Sequence, residues 1–178
     1  METIRLLDCT LRDGGYINDW DFKRKNIRRI MAGLEEAGTD LIEAGFLRDC
    51  AYREDRTLFN SVRELKQILP EGGGRGGYVL MALHDKYDVR KLEENDGTVE
   101  AIRVTFHDYD VDEGLEFGRR VMEKGYRLFV NPINIMGYSD SSLLRLLEKV
   151  RELRPYGFSI VDTFGSMTKK ELVRISSL

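Results

Sequence analysis

Asp8-Cys9-Thr10-Leu11-Arg12-Asp13-Gly14-Gly15 follows directly on a short apolar stretch, Ile4 to Leu7. An apolar run of that length, ending in a cation–carboxylate pair and two glycines, predicts a strand over Ile4–Asp8 and a tight glycine turn after it. A short strand that delivers fixed charges to its carboxyl end is how α/β folds place chemistry.

Working outward, the same unit recurs. Leu41–Ala44, Gly77–Leu83, Ala101–Phe106, Arg127–Asn131 and Phe158–Asp162 are further short apolar runs, suited to strands buried on both faces of a parallel sheet. Helical spacing fills the gaps. Phe22, Ile27, Ile30, Met31, Leu34 and Ala37 share one face, and Gly38 stops the helix. Leu58, Phe59, Val62, Leu65 and Leu69 predict a second helix, ended by Pro70. Val89 and Leu92 mark a shorter one, and helices around Leu115–Met122 and Leu143–Leu153 follow. Thr168-Lys169-Lys170-Glu171 reads as a capping box that opens the last helix, with Leu172 and Ile175 on its apolar face. The result is a succession of βα units of about thirty residues each. Two architectures fit: an open doubly wound sheet, or a (β/α)₈ barrel lacking its last quarter, since such barrels take about 250 residues.

The 178 residues suit one domain, and 42% hydrophobic with 33% charged residues describes a globular chain. A net charge of −3 argues against nucleic-acid partners. No apolar run approaches the ~20 residues of a membrane span. The amino terminus lacks a signal-peptide pattern, which places the expected location in the cytoplasm. Cys9 and Cys50 have neither zinc nor C-x-x-C spacing and read as partly buried structural thiols. Glu71-Gly72-Gly73-Gly74-Arg75-Gly76-Gly77 superficially resembles a phosphate loop, but it precedes a strand and has no lysine, so it reads as a connecting loop.

Polar residues gather at the expected carboxyl ends of the strands: Asp8, Arg12 and Asp13; Glu43, with Arg48 and Asp49 beyond it; His84 and Asp85; Thr105 and His107; Asn131 and Asn134; Asp162 and Thr163. Buried polar groups without partners cost several kcal/mol, so one shared polar site is the expected arrangement. Within it, Asp13 suits a hard cation, Arg12 suits a developing oxyanion, and Glu43 is placed to orient Arg12. Leu47-Arg48-Asp49-Cys50 echoes the first motif but lacks its glycines, and it is given no matching role.

The first motif resembles the first-strand signature of the DRE-TIM metallolyases, the group that holds 4-hydroxy-2-oxovalerate aldolase, hydroxymethylglutaryl-CoA lyase, and the isopropylmalate and homocitrate synthases. Ile42-Glu43-Ala44-Gly45-Phe46, Ile102-Arg103-Val104-Thr105-Phe106-His107 and Val161-Asp162-Thr163-Phe164-Gly165 resemble its second, fourth and sixth strand segments. The resemblance spans essentially the whole chain and favours the barrel. It implies a carbon–carbon lyase of aldolase type that acts on a 2-oxo acid or its aldol adduct with an aldehyde. An acyl-CoA-dependent Claisen synthase and a partial barrel acting through assembly are the alternatives.

Carried onto this sequence, the resemblance makes Asp13 a ligand of Mn²⁺ or Mg²⁺, Arg12 the enolate partner and Glu43 its support. Thr105, His107, Asn131 and Asp162 would bind substrate. Two departures accompany it. Tyr16 stands where the aldolases carry a proton-transferring histidine, and the family's His-x-His on the seventh strand has no counterpart. The metal site would therefore be incomplete. The chain is expected to be an amino-terminal portion of a longer barrel, with a homo-oligomer or a carboxy-terminal segment as its complement.

Overall fold

Apolar runs set off by polar turns become parallel strands in the computed structural model, which describes residues 4–70 and 77–178. The strands are β1 (Leu7–Asp8), β2 (Leu41–Leu47), β3 (Leu58–Phe59), β4 (Gly77–Leu83), β5 (Ala101–Phe106), β6 (Arg127–Pro132) and β7 (Gly157–Phe158). They form one sheet in the order β1-β2-β4-β5-β6-β7, with β3 added beside β2, and every pairing is parallel. A doubly wound sheet would reverse its strand order at a switch point. This one does not, so the six strands on the main path make a half-barrel, the arrangement of a partial (β/α) barrel.

The helices are α1 (Thr10–Asp13), α2 (Gly15–Asn18), α3 (Arg24–Glu36), α4 (Val62–Lys66), α5 (Val111–Glu123), α6 (Asp140–Leu153) and α7 (Lys169–Ser176). The predicted capping box of α7 forms, with Thr168 and Glu171 bonding each other's backbone N–H. Its apolar face is narrower than the sequence suggests: Ile175 is buried, whereas Leu172 is exposed.

Several boundaries differ from the sequence reading. The first and last strands shrink to two residues each, and Ile4, Leu6 and Ile160 are exposed. Both strands end the sheet, so each has one neighbour to bond and less surface to bury against. β2 instead runs on to Leu47 between two sets of neighbours. Leu58-Phe59, read as the start of a helix, is β3. The Phe46 N–H donates to Thr57 O and the Arg48 N–H to Phe59 O, and α4 begins only after Ser61 caps it through Glu64 N. Val89–Lys91 is a single 3₁₀ turn, and the expected glycine turn after β1 is the helical pair α1 and α2. The glycine-rich segment lies largely in 71–76, outside the described residues.

Period-two alternation sorts side chains to the two faces of the sheet. Along β5, Ile102, Val104 and Phe106 join the large cluster beneath the helices, while Ala101, Arg103 and Thr105 take the opposite face. That inner face is layered. Leu7, Leu41, Val79, Ala101 and Phe129 form an apolar floor, and a polar layer stands above it toward the strands' carboxyl ends. At the same end, Trp20, Phe46, Leu58 and Met81 make a separate apolar cluster.

Candidate active site

The first motif is held from behind. Asp8 accepts hydrogen bonds from Thr10 N (2.9 Å) and Thr10 Oγ1 (3.0 Å), which starts α1 directly after β1. Leu11 is fully buried, and its carbonyl accepts a hydrogen bond from the Thr57 hydroxyl at 2.8 Å. The Trp20 indole N–H donates to Arg12 O at 2.8 Å. Gly15 makes that last contact possible, because a Cβ there would lie 2.0 Å from the Trp20 ring. Gly15 thus serves close packing of the loop on an indole, whereas a Cβ at Gly14 would lie 2.6 Å from Thr10 O.

This frame sends Arg12 inward to Glu43, whose side chain is completely buried. Arg12 Nε donates to Glu43 Oε2 at 2.6 Å, and Arg103 Nη1 donates to Glu43 Oε1 at 2.7 Å. One carboxylate therefore carries two guanidiniums. Arg103 Nη2 also donates to Asn131 Oδ1 at 3.0 Å, and Asn131 Nδ2 donates to Phe129 O at 3.1 Å. Burial opposes charge on Arg12, but Glu43 outweighs it and keeps the guanidinium firmly protonated. Cys9 sits 3.5 Å from Arg103 Nη1, and burial, aided by Glu43, pushes its thiol up to about 11. It is a neutral thiol at physiological pH.

Above the network opens a cleft of about 460 Å³ at the strand ends, lined among others by Arg12, Asp13, Tyr16, Arg103, Thr105 and Asn131. Of the residues singled out in the sequence, Arg12, Asp13, Thr105, Asn131, Asp162 and Thr163 meet in this lining, with Glu43 bonded to Arg12 beneath it. Asp13 pairs with Arg12 Nη1 at 2.6 Å and is 66% exposed. Asp162 accepts hydrogen bonds from Met167 N and Ser166 N, which hold its carboxyl below the usual range and shape the turn before α7. His107 is not in the lining. Its ring stacks on Tyr109, and its backbone N–H donates to Asp110 Oδ1 at 2.6 Å. His84 bonds the same Asp110 carboxylate at 2.8 Å and lines a separate groove.

Arg103 is the member of this network that the sequence reading does not single out. Its signal was a lone cation at an inward position of an otherwise apolar strand. Among the described residues, no group of three or more His, Cys, Asp or Glu is disposed to hold a metal ion. Asp13 offers one carboxylate, already engaged by Arg12, so these residues do not make up a metal site on their own.

No protein-family model matches the chain, and no curated protein sequence matches it. A solved structure does: the "N-terminal domain of a putative aldolase" from Bacteroides vulgatus, with a TM-score of 0.78 over 98% of this chain at 23% identity. The chain spans 59% of that protein's length. The likeness is one of fold. No helix among the described residues is long and apolar enough to cross a membrane.

Proposed function

We propose that this chain carries the enolate-stabilising half of a carbon–carbon lyase of the DRE-TIM type, acting on a 2-oxo acid or its aldol adduct. The observation that carries this reading is the Arg12–Glu43–Arg103 network beneath an open cleft at the strand ends. Two guanidiniums share one buried carboxylate, and the second carboxylate, Asp13, meets Arg12 from the exposed side of the cleft. When the C3–C4 bond of a 4-hydroxy-2-oxo acid breaks, its electron pair becomes the C2–C3 double bond, the carbonyl pair moves to the C2 oxygen, the 4-hydroxyl gives its proton to water and an aldehyde departs. Arg12, prepositioned by Glu43 and by the Trp20 bond, meets that developing charge without having to reorganise. A proton returned from water to C3 completes a 2-oxo acid. Thr105 and Asn131 supply neutral polar contacts to the rest of the substrate. The fold likeness to an aldolase domain supports the same assignment.

The reading also assigns Asp13 as one ligand of a divalent Mn²⁺ or Mg²⁺ ion, which would polarise the substrate carbonyl. No further ligands join Asp13 among the described residues, and the steps above run through the guanidiniums.

Oxalate, a planar dianion shaped like the enolate of pyruvate, tests the proposal by calorimetric titration. It should bind the wild-type chain and bind Arg12→Ala at least about tenfold more weakly, the loss of a charge-assisted bond. Equal binding by the two proteins, or none by the wild type, overturns the reading. Exchange of pyruvate methyl protons in D₂O reports the chemical step. Turnover of acetyl-CoA in its place would transfer the site to Claisen chemistry.

A further inference from the structure

Beside the cleft lies a smaller void of about 170 Å³, lined by Tyr16, Trp20, Phe46, Leu47 and Leu83, with Arg48 and Lys86 at its far end. Tyr16, Phe46 and Leu83 also line the cleft, so the two spaces adjoin through one apolar wall. Arg48 and Lys86 in turn line the outer groove, so the void lies between the cleft and the surface. The aromatic rings brace one another edge to face. Tyr16 lies 4.9 Å from Trp20, and Trp20 lies 5.7 Å from Phe46.

The two cations differ. Lys86 is matched by Asp85 at 2.6 Å, whereas Arg48 has no ion pair among the described residues. A slot that is apolar along its length and ends at an unmatched guanidinium has a definite complement. At about 30 Å³ per non-hydrogen atom, the volume of one liquid water, it holds about six such atoms.

We infer that this slot receives the aldehyde half of the adduct, and that this half is an unbranched chain of about four to six carbons ending in a carboxylate. The inference rests on the enolate reading of the adjoining cleft. The reacting carbon would sit at the Tyr16–Phe46–Leu83 mouth, the methylenes would lie against Trp20 and Leu47, and the terminal carboxylate would meet Arg48.

Trp20 is the only tryptophan, so its emission reports on the slot without a label. 6-Hydroxyhexanoate serves as an unreactive stand-in for the aldehyde, and 1-hexanol as its uncharged counterpart. In the wild-type chain, 6-hydroxyhexanoate should change Trp20 emission saturably and bind about tenfold more tightly than 1-hexanol. Arg48→Gln should erase that preference, and Arg48→Lys should retain most of it. Equal binding of the two probes, a preference that survives Arg48→Gln, or no response to either overturns the slot assignment. Oxalate separates the two readings. If oxalate binds and the slot probes do not, the slot falls alone. If the slot probes bind and oxalate does not, the enolate reading falls and the slot remains a binding site for ω-carboxy chains.

Discussion

Replacing Glu43 with glutamine keeps the shape of the side chain and removes the one negative charge that two guanidiniums share. Both cations are largely withdrawn from water, with side-chain exposures of 15% for Arg12 and 13% for Arg103, so solvent screening compensates little. The glutamine oxygen can still accept from one arginine. Its amide nitrogen then confronts the other, donor against donor. Removing one partner from a buried ion pair costs about 3–5 kcal/mol, because a buried charge is left uncompensated. With a urea m value of about 2 kcal/mol per molar, the midpoint should fall by about 1.5–2.5 M. Equilibrium unfolding by circular dichroism and Trp20 fluorescence measures it. The triple replacement Arg12→Met, Glu43→Leu, Arg103→Met should lose far less than the single change, since an apolar set of similar volume removes all the desolvation at once. A Glu43→Gln loss below about 1 kcal/mol, or a triple variant less stable than the single one, refutes the view that Glu43 neutralises two buried cations.

Other outcomes follow from the same geometry. Gly15→Ala drives a methyl into the Trp20 ring and should break the indole bond to Arg12 O, shifting Trp20 emission to the red and weakening oxalate binding together. Asp162 has a folded pKa below its unfolded value, so its contribution is present above about pH 4 and is lost as the pH falls through the folded value. Asp162→Asn should therefore be less stable than wild type at pH 7, with the gap closing toward pH 3 in urea titrations. The Cys9 thiol, raised to about 11, should react with iodoacetamide at pH 7.5 about a hundredfold more slowly than an ordinary cysteine, as peptide mass mapping can follow. Unfolding in urea should abolish that protection.

The alternation of β5 carries a mark that the reading of strands buried on both faces does not use. Ile102, Val104 and Phe106 share one side, which places Arg103 and Thr105 on the other. The Arg12–Glu43 pairing was legible, because adjacent parallel strands bring their carboxyl ends together. Leu58-Phe59 was not. Its apolar spacing continues smoothly into α4, and only pairing with β2 makes it a strand, a tertiary choice with no local mark. The slot was equally hidden. Tyr16, Trp20, Phe46 and Leu83 come from three separate strand-end segments, and their aromatic contacts exist only once α1 and α2 fold back over β2. His107 stood at a strand end like Thr105, but the chain turns after Phe106 and its ring goes to Tyr109 instead.

Along one edge, β2 has two partners in succession: β1 beside Leu41 and Ile42, then β3 beside Phe46 and Leu47. Between them the strand bulges, and Gly45, at φ 152°, passes so close to Thr57 that a Cβ would lie 2.0 Å from its carbonyl oxygen. Next to that bulge Arg12 reaches Glu43, and Thr57 and Trp20 clamp α1 from behind. Two jobs thereby fall to largely different residues. The contacts that set the guanidinium come from Leu11, Trp20 and Thr57, whereas Tyr16, Leu83 and Arg48 face the voids that a ligand's tail would enter, and Trp20 alone belongs to both sets. Substitutions at Tyr16, Leu83 or Arg48 can therefore reshape the voids one side chain at a time while the Arg12–Glu43 pair keeps its register.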